Sequence, residues 1–197
     1  MAQTDQTAHD AGNARDDDVV ALLMRQHGDI RNLFDEVERT SGDERREAFR
    51  SLVRLLAVHE TAEQEVVHPY AGRLFDGAKD MVADRLAEEK AAKEMLAELD
   101  GMDPEDPGFM PRLRELRTDV QRHARAEERY EFLQLRRRAD PEKLASMAKA
   151  VRAAESMAPT RPHPGVQGAA ANMAAGPVAA LMDRTRDAVR KAMGKKG

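Results

Sequence analysis

The chain has 197 residues, 35% of them charged and 4% aromatic, with a net charge of -4 and neither Cys nor Trp. The missing cysteines exclude disulfides, thiolate metal ligands and thiol nucleophiles, so a bound metal has to be held by nitrogen and oxygen. Acidic and basic residues interleave, which gives no electrostatic footprint for nucleic acid; the basic end, Arg190 to Lys196, is too short to alter that. No apolar run approaches the roughly 18 residues of a membrane span. The opening MAQTDQTAHD lacks the basic-then-apolar pattern of a secretory leader, so a cytoplasmic protein is the default.

In chain order, residues 1–15 are small and polar and read as disordered. Asp16, Asp17 and Asp18 suit a helix start, where the macrodipole favours negative charge. A first helix is predicted over about 17–40, with Val20, Leu23, His27, Ile30, Phe34 and Val37 recurring at three and four. A second covers about 44–67, with Phe49, Leu52, Val53, Leu56, His59, Glu63 and Val66 on one stripe, and Pro69 ends or kinks it. A third covers about 78–99. The breaker DGMDPEDPG separates it from a fourth over about 110–138, whose stripe is Leu113, Leu116, Val120, His123, Glu127, Tyr130 and Leu133.

The fold class is therefore all-α: an up-down-up-down four-helix bundle over residues 16–140. A short fifth helix follows at 141–157. The remaining tail, 158–197, is rich in Pro, Gly and Ala but closes on an amphipathic piece bearing Leu181, Met182, Thr185, Val189 and Met193. That piece docks on the bundle, on a second subunit, or on nothing. Met24, Met81, Met95 and Met110 read as core filler. His68, before Pro69 and opposite His59 on an ideal helix, reads as exposed or capping, and His9 and His163 fall in flexible segments.

Two segments carry chemistry. His59 to Glu63 and His123 to Glu127 are both His-x-x-x-Glu, and a spacing of four puts both side chains of a pair on one helix face, one turn apart. Both pairs lie on apolar stripes, where His and Glu are costly unless paired or metal-bound. One pair alone is an ordinary surface pairing; two, on alternate long helices, make a metal site. His27 lies mid-stripe on the first helix. The chain reads as an imperfect duplication, in which Gln26-His27 matches Glu89-Lys90. One metal takes His27, His59 and Glu63. The other takes His123, Glu127 and a residue of the third helix, with Glu63 and Glu127 as bridging carboxylates.

The segments MRQHGDIRNLFDEVE, VHETAEQEVVHPY, LAEEKAAKEMLAELD and HARAEERYEFLQLRRR resemble the hemerythrin-like, or HHE cation-binding, family, whose pattern is H…HxxxE…H…HxxxE. The resemblance covers about residues 17–140. It implies two non-haem irons, oxo- or hydroxo-bridged, that react with a small diatomic ligand or peroxide, with an electron donor as a further partner. The family's third histidine falls on Lys90, and an ammonium beside a dication is repulsive. Three outcomes stay open: a substitute ligand, Glu94 or Tyr130; an open coordination position; or a lysine pairing with Glu127 or Glu63 so that only the His27 half loads.

A ferritin-like bundle would use Glu-x-x-His instead, and zinc prefers one closed four-ligand site. The function read from the sequence is scavenging, sensing or detoxification of O2, peroxide or NO. The alternatives are a di-iron oxidase or oxygenase acting on an organic substrate, and an iron-binding stress protein without turnover.

Overall fold

The computed structural model describes residues 18–157 and 177–194. The expectations for residues 1–15, for the linker at 158–176, and for His9 and His163 lie outside them. Helix α1 spans Val19–Arg39, α2 Gly42–Ala62, α3 His68–Ala71, α4 Ala78–Asp100, α5 Phe109–Ala126, α6 Phe132–Arg138, α7 Pro141–Met157 and α8 Pro177–Ala192. Two π-helical turns, Glu63–Val67 and Glu127–Glu131, join α2 to α3 and α5 to α6. The second and fourth rods of the bundle are thus continuous through a widened turn.

Local chemistry sets the ends. Asp18 caps α1 by accepting the Ala21 amide at 2.7 Å. Gly77, at φ +85°, makes the left-handed turn that starts α4. Pro69 sits in the first turn of α3, where its missing N–H costs least, and the rod ends two residues later.

Among the described residues the elements are all helical, and they form an all-α bundle. Helix α1 packs on α2, and α4 on α5. The core is split in two. One apolar cluster holds Phe34, Phe49, Leu52, Leu56, Leu96, Leu99, Phe109 and Leu113, with Phe49 and Phe109 edge-to-face at 5.0 Å. The other holds Val19, Leu23, Ala62, Val67, Phe132 and Leu135 together with Leu144 and Val151 of α7. The layer between them is polar.

The closing amphipathic segment docks on the bundle. Val178, Leu181 and Met182 of α8 enter the first cluster and Val189 the second. Arg186 and Arg190 both hold Glu65 in the first π turn. Of the methionines read as core filler, Met95 is buried, but Met24 is exposed, because it projects from α1 one position off the inward stripe.

Candidate metal centre

The polar layer gathers His27 from α1, His59 from α2, Glu63 from the first π turn, Glu89 from α4, His123 from α5 and Glu127 from the second π turn, all buried. Both π turns begin at the glutamate of a His-x-x-x-Glu pair. The His68 amide reaches back to Glu63 O, and the Phe132 amide to Glu127 O. Each turn takes one extra residue, so the side chains beyond it shift in register by one position.

Hydrogen bonds on the outer nitrogens fix the imidazoles. His27 donates Nδ1–H to Glu128 Oε1 at 2.9 Å, and His59 donates Nδ1–H to Gln26 Oε1 at 2.7 Å. The Gln26 amide cannot be turned the other way, because its Nε2 donates to Glu155 of α7. His123 donates Nδ1–H to Glu88 Oε2 at 2.9 Å. The Nε2 atoms are therefore left facing inward. Those of His27 and His59 lie 3.1 Å apart, and His123 Nε2 lies 3.2 Å from Glu127 Oε1.

The arrangement is a pseudo-twofold. Gln26 orients His59 as Glu88 orients His123. His27 binds Glu128 where Glu89 binds Gln64, each partner being the residue after a π-turn glutamate. Glu89 thus stands in the place of His27. The stripe Arg85, Glu89, Ala92, Leu96, Leu99 on α4 repeats Leu23, His27, Ile30, Phe34, Val37 on α1. Lys90 points outward and is exposed, as is Glu94, and Tyr130 is 54% exposed beside Arg129. These three tentative substitutes face away from the polar layer, and His27 is matched in the structure by Glu89, one residue before Lys90.

His68 is buried, where the sequence predicts an exposed or capping residue. The π turn swings it inward, to 2% exposure, with Nε2 2.6 Å from Glu89 Oε1 and Nδ1 2.8 Å from Glu131 Oε1. Two carboxylates on its two nitrogens make it an imidazolium. Burial alone would lower its pKa, but the bonds to Glu131 and Glu89 raise it to about 10. Its counterpart in the other half is Phe132, stacked on His27 at 5.7 Å.

The electrostatics are those of a site short of positive charge. Burial, reinforced by Glu127 and Glu89, pushes Glu63 well above the carboxylate range. Burial would raise Glu127 too, but His123 and His27 hold it well below. Burial and the neighbouring imidazoles lower His59, whereas Glu127 and Glu88 outweigh burial and lift His123 to about 9. Both oxygens of Glu63 are buried without a hydrogen-bond partner, and those of Glu127 face imidazole nitrogens, His123 Nε2 at 3.2 Å and His27 Nε2 at 3.3 Å.

This donor set fits cations. His27, His59, Glu63 and Glu127 each offer an atom within 4.8 Å of the others, and so do Glu63, Glu89, His123 and Glu127. The 3.1 Å between the first two imidazoles suits adjacent donors around one ion bound at about 2.1 Å. Ionised Glu63 and paired lone pairs, unfavourable in an empty core, are what a cation would stabilise.

Residues 18–135 match the hemerythrin HHE cation-binding domain. The chain belongs to that family. An uncharacterised hemerythrin-like protein of Schizosaccharomyces pombe is 30% identical over 138 residues, 69% of this chain and 68% of that protein. A DNA nickase of Nostoc sp. is 27% identical over 143 residues, 72% of this chain but only 40% of the nickase. No solved structure matches. Helices α7 and α8 lie beyond the matched region, so Glu155, which fixes Gln26, is an addition to the hemerythrin HHE domain. No helix among the described residues is long and apolar enough to cross a membrane.

A cavity of about 70 Å³ reaches this layer, lined by His27, His59, Glu89 and His123 at its inner end.

Proposed function

We propose that this hemerythrin-family protein is a non-haem di-iron protein that reacts with O2, peroxide or nitric oxide, in scavenging, sensing or detoxification. The observation that carries the reading is that Glu63 and Glu127 belong to both donor groups. Two carboxylates shared between two sets of imidazoles bridge a pair of ions more readily than they serve one. His27 and His59 would hold one iron, and His123 and Glu89 the other. Bound iron would supply one-electron redox chemistry toward small oxygen and nitrogen ligands.

The chain's own groups support that chemistry in defined ways. Gln26, Glu88 and Glu128 hold the imidazoles in the tautomer that presents Nε2. The two apolar clusters exclude water on either side. Glu89 in a histidine's place makes the set richer in anionic donors, which favours the ferric state and argues for redox reactivity over reversible O2 storage.

Oxidation of an organic substrate is disfavoured by size. The cavity has about 70 Å³, whereas one that takes benzene has about 150 Å³. Cutting DNA, as the Nostoc relative is named for, is not proposed, since less than half of that protein is matched and the chain is net acidic.

The test is anaerobic reconstitution with ferrous iron, exposure to O2, and anaerobic re-reduction. The expected outcome is oxidation to a stable ferric pair. Clean, repeated reversible oxygenation would show a carrier instead, and full occupancy by zinc in preference to iron would remove the redox reading.

A further inference from the structure

The cavity beside the metal centre has a polar group that the donor set does not use. Its lining includes the exposed residues Arg31, Ala91 and Arg122, the buried Ala92 and Val120, and the histidines. Glu60, the neighbour of His59 on α2, lines it but belongs to neither donor group. Glu60 is 5% exposed, and its Oε2 has no hydrogen-bond partner. A buried carboxyl oxygen left unpaired is costly, and a ligand seated against it would relieve that cost.

We infer that this cavity is a binding site for hydrogen peroxide and that Glu60 is the side chain that recognises its O–H groups. The inference rests on the proposed redox function and names the substrate within it. Size selects first: the space admits a diatomic molecule or peroxide and excludes a ring. Hydrogen bonding then separates the ligands that fit. O2 and nitric oxide carry no hydrogen to donate. Hydrogen peroxide carries two O–H donors and lone pairs on both oxygens, so it satisfies Glu60 whether that carboxyl is ionised or protonated. A carboxyl group is not needed to admit O2, and an apolar side chain would serve that purpose better.

The experiment uses the full-length, iron-loaded protein and compares its second-order rate constants with hydrogen peroxide, O2 and nitric oxide. In Glu60→Leu the peroxide rate is expected to fall by roughly two- to tenfold, the effect of one hydrogen bond, with O2 and nitric oxide unchanged. Glu60→Gln, which can still donate and accept, keeps most of the peroxide rate. Ala92→Leu, which takes up volume in the lining of the cavity, slows all three. Iron content and absorption spectrum stay as in the wild type.

A second readout needs no turnover. In zinc-loaded protein, adding hydrogen peroxide shifts a carboxyl infrared band that is absent in Glu60→Leu. If Glu60→Leu slows all three ligands equally, or none, or if the infrared band does not respond to peroxide, the inference fails while the proposed function stands. Iron-loaded wild type that reacts with none of the three overturns both.

Discussion

The Nε2 atoms of His27 and His59 face each other at 3.1 Å, each imidazole pinned by a hydrogen bond on its far nitrogen. Two lone pairs this close repel unless a proton or a metal ion lies between them. Replacing either histidine by alanine is expected to reduce bound iron from two per chain toward one, measured by metal analysis after gel filtration. The fold should persist, because both apolar clusters lie outside the layer.

Glu89 decides the other half. In Glu89→Ala the second ion is expected to lose a ligand and dissociate, whereas Lys90→Ala, Glu94→Ala and Tyr130→Phe, all exposed, leave stoichiometry and spectrum unchanged. Glu89→His would restore the histidine of the family pattern and shift the ferric absorption without loss of metal. A Tyr130→Phe variant that lost a visible absorption band would contradict this assignment.

Glu155 acts at a distance. Its contact with Gln26 fixes the amide that in turn fixes His59. Glu155→Ala is expected to weaken metal binding, by less than the roughly 10- to 100-fold that loss of Gln26, the direct partner of His59, would cost. Glu155→Gln should retain most of the affinity, and a competition titration against a chelator reads the difference.

Helix α8 is part of the folded body. Leu181 and Met182 are buried in the first cluster, so Leu181→Ala should cost about 2–5 kcal/mol of stability. Removal of residues 158–197 would expose that surface and lower the melting temperature. A truncated chain as stable as the full one would show that the helix does not stay docked.

The metal-free protein should lose stability as pH rises from about 6.5 to 10. His68, raised to about 10, and His123, raised to about 9, gain stability from their carboxylate partners that is fully present below the unfolded value and lost as pH passes the folded one. Glu60, raised to about 8 chiefly by burial and next by Glu89, acts in the same direction, because the folded chain holds a proton the unfolded chain has lost. His59 and Glu127 are lowered and act oppositely, but below pH 6.5. Metal binding must displace the protons on Glu63 and His123, so uptake at neutral pH should release protons and tighten with rising pH. Melting curves and proton release in weak buffer check the two statements.

Much of the fold was legible because the apolar residues keep helical spacing and the breakers are strong. The same spacing placed His27, His59, Glu63, His123 and Glu127 on inward stripes, and the structure brings them together in one layer. Two features were hidden. The first is register: local sequence aligns Gln26-His27 with Glu89-Lys90, whereas the stripe through Ala92, Leu96 and Leu99 points to Glu89. The second was the π turn, which ideal α-helical periodicity cannot represent. It adds one residue after Glu63 and so moves His68 from the outer face to the inner one. Its signal is that Glu63 and Glu127, both at the fourth place after a histidine, start the same irregular turn.

The central claim is tested most directly by counting iron in protein reconstituted anaerobically and then oxidised, with electron paramagnetic resonance on the same sample. The account predicts two irons per chain and a coupled ferric pair without a resonance signal. One iron per chain with the signal of an isolated ferric ion would contradict it.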